Sequence, residues 1–358
     1  MLRGLITTVI VIGMAFTFLN AQLEPSIQWK MFLNTNVVGK YVQQTSDKGY
    51  VITGKKKESG HHTYDVYLLK TDSLGNTQWE RTFGYSQRSD VANSIQQTSD
   101  SGYILAGKGG DSSKTYLLKT DRTGLLQWEI RKFRNSVATT VQQTIDGGYV
   151  TAGLTMASEG DAFVMKIDSL GNFKWNKILP DSNLFNYDWV EVISVQQTND
   201  KGYIISSEGL TKTDSLGNIQ WRKIYSKVHI IFSVQPTLDG GYIATGIGQD
   251  ETDPKQWHNV CLLKTNSLGN QIWKKTFGSS SSLDVGCFVR QTQDNGYLIS
   301  GFLDDDGFVQ KTDSLGNGQW KKSLGTALKW ARCGQLTSDG GFIILSDKQL
   351  IKLAPLNQ

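Results

Sequence analysis

The chain reads as an all-β protein: a seven-bladed β-propeller of four-stranded blades, the last blade closed by the N-terminal strand. Three observations predict this. A turn of the form Gln-Thr-x-Asp-Gly-Gly-Tyr recurs, with small variations, at Asp47, Asp100, Asp146, Asp200, Asp239, Asp294 and Asp339. A tryptophan series recurs as often, at Trp29, Trp79, Trp128, Trp175, Trp221, Trp273 and Trp320, with spacings of 46 to 52 residues. A period of that size, built of strand signals, is typical of propeller blades. The two series are also offset. Trp29 precedes the first turn, and no Trp follows the last.

From the N-terminus, residues 1–21 have the layout of a secretory signal peptide. Arg3 gives a positive start, Leu5 to Leu19 is nearly all apolar, and Ala21 is a small residue at the end. The run is short for a membrane span, and no cysteine follows it to take a lipid. The expected address is extracytoplasmic: secreted, periplasmic or cell surface. Residues 22–358 are expected to form a single propeller domain. The blades fall at approximately 33–84, 85–133, 134–179, 180–225, 226–278, 279–325 and 326–358, with 26–32 completing the last.

Each repeat carries four strand signals. In the second repeat the first strand ends in Gln-Gln-Thr at 96–98, and Tyr103 to Gly107 follows the turn. In the first repeat the third strand is Asp65 to Thr71. The fourth is Gln78 to Phe83, which alternates Trp79, Arg81 and Phe83 on one face with Gln78, Glu80 and Thr82 on the other. The chain has 37 glycines and only 5 prolines, which suits many tight turns between strands that keep their ladders. The second repeated turn is Ser-Leu-Gly-Asn, at 73–76, 169–172, 215–218, 267–270 and 314–317. An acidic residue before such turns invites a calcium reading. Recurrence in five of the repeats points instead to a folding device. Each Trp is expected to pack between neighbouring blades.

The seventh repeat runs out after Gln349 to Leu353, without a Trp strand. The missing strand stands at the other end, Ile27 to Phe32. Placing it beside Leu353 closes the ring and removes an exposed sheet edge.

The phrase Lys-Thr-Asp-Ser-Leu-Gly-Asn-x-x-Trp resembles the tryptophan-docking motif of quinoprotein-dehydrogenase-like propellers, one residue shorter between Asp and Gly. The fuller phrase, Gln-Gln-Thr-x-Asp-Gly-Gly-Tyr followed by the Trp hairpin, is similar to repeats of secreted Bacteroidetes-type bacterial proteins. The resemblance spans nearly all of the mature chain and implies architecture more than activity. The neighbouring cysteine pair of quinoprotein enzymes is absent here, so no cofactor is expected.

The net charge of +4 is spread over mixed charges with no basic stripe, which argues against nucleic acid. Cys261, Cys287 and Cys333 read as buried thiols, with a Cys287–Cys333 bridge left open. A monomer is expected. His61-His62 and Asp304-Asp305-Asp306 lack metal-ligand spacing, and no metal is assigned.

Alternating strand direction puts the two repeated turns on one face. The other connections, which vary, lie on the opposite face, where a ligand is expected. The long links carry Tyr187, Asp188 and Trp189, then Trp257 and His258; Trp330 is the third Trp outside the structural series. Their aromatic rings suit sugar stacking or anchoring of a protein partner. At the position two before each turn Thr stand Gln43, Gln96, Gln142, Gln196, Gln235, Arg290 and Gln335. Arg290 is the exception and a candidate anion contact. These features favour a non-catalytic binding or scaffold propeller for a glycan or an envelope or protein partner. The alternative is a polysaccharide-acting enzyme that uses carboxylates among Asp188, Glu191, Asp90 and Asp284. It needs two of them about 5–10 Å apart.

Overall fold

The computed structural model of the chain describes residues 24–58, 60, 62–84, 88–110, 113–155, 160–179, 193–250, 258–278, 283–304, 306–325 and 333–355. The expected leader, residues 1–21, lies outside them. The described residues form 28 strands in seven four-stranded antiparallel sheets, arranged as a seven-bladed β-propeller. Blade 1 comprises Val37–Gln44, Tyr50–Lys57, Tyr64–Thr71 and Thr77–Phe83. The first strand of every blade is innermost, and these strands meet one another around the axis. The fourth is outermost and alternates exposed with half-buried residues.

The ring closes as expected. Ile27–Phe32 pairs antiparallel with Gln349–Leu353, with Trp29 opposite Lys352 and Phe32 opposite Gln349. It is the outer strand of a sheet whose other three strands come from the C-terminus.

The apolar core lies between the blades. The Trp29 ring stands 5.6 Å from Tyr50 of blade 1, nearly edge-on at 67°. Trp79, Trp128, Trp175, Trp221 and Trp273 meet Tyr103, Tyr149, Tyr203, Tyr242 and Tyr297 of the next blade at 5.8–5.9 Å. Each of these Trp also lies on the hairpin glycine of that next blade. Gly124 has φ of +80°, and a Cβ there would sit 2.6 Å from Trp79. Glycine thus serves twice: for the turn and for the close approach of the indole. At the sixth seam the pattern changes, because blade 7 has no such hairpin. Trp320 packs with Phe342 in one buried cluster, and Glu24 reaches Lys322 across the seam at 3.8 Å.

A second seven-fold device was not anticipated. The Lys of each third strand is buried and pairs with the Asp of the first turn in its own blade. Lys70–Asp47 is 2.8 Å, Lys119–Asp100 2.8 Å, Lys166–Asp146 3.0 Å and Lys212–Asp200 2.7 Å. Lys264–Asp239, Lys311–Asp294 and Lys352–Asp339 complete the set at 2.8, 2.7 and 2.9 Å. Each Asp also accepts from its turn, as Asp47 does from Gly49 N–H at 3.0 Å. Partial burial pushes these carboxyls up in pKa. Hydrogen bonds from the Lys, the turn Thr and the turn Gly outweigh it and hold them low, Asp239 at about 2.

The acidic residue before the Ser-Leu-Gly-Asn turn is likewise consumed locally. Asp72 accepts from Leu74 and Asn76 N–H at 2.9 and 2.8 Å. In blade 5 Asn266 does the same work, so the position needs an acceptor rather than a charge. All three cysteines are free thiols. Cys261 and Cys333 are buried, and Cys287 is half-buried.

Candidate functional site

The two faces of the ring differ in their connections. Every link between first and second strands has five residues, from 45–49 in blade 1 to 337–341 in blade 7. Every link between third and fourth strands also has five, as at 72–76 and 313–317. On the other face, the link between second and third strands spans three residues in blade 4 (207–209) and ten in blade 5 (249–258). One face is built to a single pattern. The other is not.

Between the faces, the innermost strands surround a central cavity of about 90 Å³. Its walls depend on a repeated β-bulge. In blades 1, 2, 3, 5 and 6 the register with the second strand slips by one residue. The extra residues that line the cavity are Lys40, Asn93, Thr139, Phe232 and Cys287; blade 5 slips a second time at His229, away from it. A bulge re-aims a side chain that the pleat would otherwise direct elsewhere. The second strand permits it by carrying glycine there: a Cβ on Gly54 would lie 2.0 Å from the Val38 carbonyl oxygen, and on Gly153 1.9 Å from that of Val137.

At the end of the innermost strands, pairs of glutamines staple blade to blade. The first Gln reaches forward: Gln43 Oε1 accepts from Gln97 N–H and Gln142 Oε1 from Gln197 N–H, both at 2.6 Å. Gln96 and Gln335 do the same toward Gln143 and Gln44. The second Gln reaches back: Gln97 accepts from Ser46 N–H at 2.8 Å, Gln44 from Ser338 N–H at 2.7 Å. Two seams cannot be stapled. Between blades 4 and 5, Pro236 replaces the second Gln and has no N–H for Gln196. Between blades 6 and 7, Arg290 cannot accept and Leu336 has no amide to reach back. The cavity is lined by Gln196, Gln235 and Arg290 of this series, and not by Gln43, Gln96, Gln142 or Gln335.

Arg290 therefore stands in the channel, not in a staple. Its guanidinium stacks over Phe288 at 4.8 Å, and Nη1 is buried with no hydrogen-bond partner among the described residues. Burial pulls its pKa down, with Tyr41 and Cys333 opposing; a guanidinium remains charged regardless. Tyr41 and Cys333 stay neutral beside it. Burial pushes the Cys333 thiol up to about 12 and the Tyr41 phenol well above its usual range. Lys40 also lines the cavity, and among the described residues no carboxylate does.

The other sequence candidates fall as follows. His258 is exposed and enters the third strand of blade 5. Tyr187, Asp188, Trp189, Glu191, Trp257 and Trp330 lie outside the described residues, as does His61. Asp90 and Asp284 occupy equivalent places before the innermost strands of blades 2 and 6, and both are fully buried. Asp90 accepts from Arg131 Nη1 and Gly110 N–H, each at 2.9 Å. Asp284 accepts from Asp304 N–H at 2.8 Å. These carboxylates pin the variable-face links within their own blades. Among the described residues no group of three His, Cys, Asp or Glu side chains could hold a metal, and no helix is long and apolar enough to cross a membrane.

Neither a family model nor a curated protein sequence matches the chain. Solved structures do. The WD40 β-propeller domain of Doa1 superposes with a TM-score of 0.64 at 11% identity, covering 92% of this chain and 96% of that one. Virginiamycin B lyase from Staphylococcus aureus gives 0.65 at 10% identity, over 92% and 99%. YCF48 bound to D1 peptide gives 0.55 at 12%, over 93% and 98%. At such identities the likeness is one of fold. Binding propellers and a lyase share it.

Proposed function

We propose that this chain is an extracytoplasmic, non-catalytic binding or scaffold propeller whose variable face takes a protein or glycan partner. The contrast in connection length carries the reading. Links on one face are all five residues, whereas those between second and third strands on the other range from two in blade 6 to ten in blade 5. Selection for folding alone explains the first face, and a ligand surface explains divergence on the second. YCF48, of the same fold, is described with a bound peptide. The engagement of Asp90 and Asp284 inside their blades supports binding over carboxylate catalysis. The quinoprotein-like repeat enters as architecture, with no cofactor assigned. The leader-like residues 1–21 and the bacterial secreted-type repeat support the address.

Tyr187, Asp188, Trp189, Trp257, His258 and Trp330 are the proposed contacts. Peptide and glycan arrays should be probed with the protein lacking residues 1–21, then with Trp189→Ala, Trp257→Ala and Trp330→Ala. Binding that survives all three changes, yet falls on substitution of exposed Leu238 or Leu74 on the regular face, would refute the assignment. Recovery of the protein from the cytoplasm with residues 1–21 intact would refute the address.

A further inference from the structure

We propose that the central channel holds a small oxyanion, of carboxylate or phosphate size, on the guanidinium of Arg290. The inference stands apart from whatever occupies the variable face. It begins with the staple series. Four glutamines of the series spend their side-chain carbonyls on the next blade. Arg290 breaks the pattern at the cost of a seam, because a guanidinium has no acceptor for the Leu336 N–H. The exchange leaves a half-buried guanidinium, its Nη1 fully buried, in a ring otherwise held by neutral amides.

A buried charge needs a partner. Arg290 Nη1 has none among the described residues. Among the described residues the lining offers no Asp or Glu to supply one. Tyr41 and Cys333, which face the guanidinium, are both held in their neutral forms by burial. The surrounding wall is polar enough to receive an anion, with Asn93, Ser194 and Ser233 among its residues. The space also fits. One water needs about 10–15 Å³ on this measure, so a cavity of about 90 Å³ has room for a carboxylate or phosphate group. The planar fork of arginine suits either oxyanion by paired N–H···O bonds. Chloride lacks that geometry.

Thermal melts of the purified protein in sodium chloride, acetate and phosphate, at one pH and ionic strength, test this. Calorimetric titration of each anion then gives affinities. Acetate or phosphate, or both, should raise the melting temperature above the chloride value, and the stronger of the two identifies the ligand class. Arg290→Gln places the series' own residue at the site, and its amide can accept the Leu336 N–H. This variant should melt at or above the wild type in chloride and bind the preferred oxyanion at least tenfold more weakly. Arg290→Lys keeps the charge without the fork and should weaken binding by a smaller factor. No oxyanion effect in the wild type, or equal responses in wild type and Arg290→Gln, would overturn the proposal. Should Arg290→Gln fail to fold, unchanged affinity in Arg290→Lys would overturn it, and weakened affinity would uphold it.

Discussion

Removing either partner of a Lys–Asp latch should have unequal consequences, and blade 1 shows why. Lys70 and Asp47 meet at 2.8 Å, but the Lys side chain is 4% exposed and the Asp side chain 55%. Asp47→Asn keeps an oxygen for Gly49 and Thr45, so the turn survives. It removes the carboxylate charge facing a buried ammonium, which retains the remaining Oδ1 at 3.1 Å, Thr71 O at 2.8 Å and Gln78 Oε1 at 3.2 Å. Breaking a fully buried pair costs about 3–5 kcal/mol. Solvent screening of the half-exposed carboxylate lowers this to about 2 kcal/mol. Lys70→Met leaves Asp47 facing water, and its stem fills much of the same volume. That change should cost about 0–1 kcal/mol, the scale of an exposed pair. Urea unfolding at pH 7, followed by tryptophan fluorescence, reads both. Equal losses, or a larger loss in Lys70→Met, would show that the latch acts through packing of the Lys stem and not through its charge.

Three further outcomes are expected. The latch carboxyls are depressed in the folded state, so the unfolded chain binds more protons as pH falls; stability is present above the ordinary Asp value and is lost on acidification toward the folded value, which for Asp239 is about 2. Melting temperature should therefore fall steeply below about pH 4, and Asp239→Asn should flatten that slope; a flat profile in the wild type would contradict the latch. Pro236→Gln should restore a staple on each side of the seam between blades 4 and 5 and add about 0.5–1.5 kcal/mol per hydrogen bond; a lower melting temperature would show that the fixed proline backbone matters more. Removal of residues 22–32 takes Trp29 from Tyr50, a loss of about 1.5–3 kcal/mol by area, and bares the Gln349–Leu353 edge to self-pairing; a monomer on gel filtration with an unchanged melt would argue against the closing strand.

The architecture was legible because it repeats. Seven Asp turns, seven Trp and one offset were enough to place the blades and join the ends, since each copy performs one geometric task. The latch was missed although its signal is present: a Lys stands at the same point of all seven third strands, next to the last residue of a buried run, where a solvent-facing charge has no place. The bulges left a weaker trace. The bulged residue is free to differ (Lys40, Asn93, Thr139, Phe232, Cys287), so only the facing glycines, such as Gly54 and Gly153, betray it. At the axis, the series with Arg290 as its exception was visible, but the reason was not. The second glutamine of each pair and its replacement by Pro236 and Leu336 acquire meaning only across blades, and contacts between blades are what a linear reading does not supply.

The pairing of Trp29 with Lys352 also sets an order of events. Ile27–Phe32 is made before six whole blades and finds its partner, Gln349–Leu353, only after them, so it must wait through their synthesis. Six blades can form from local hairpins as they emerge, each on a short loop. Completion of the seventh is the one step of very high contact order, and such steps are slow. Until that clasp shuts, both of its strands are open to partners from other molecules. Yield on refolding should thus be governed by concentration during this single late step.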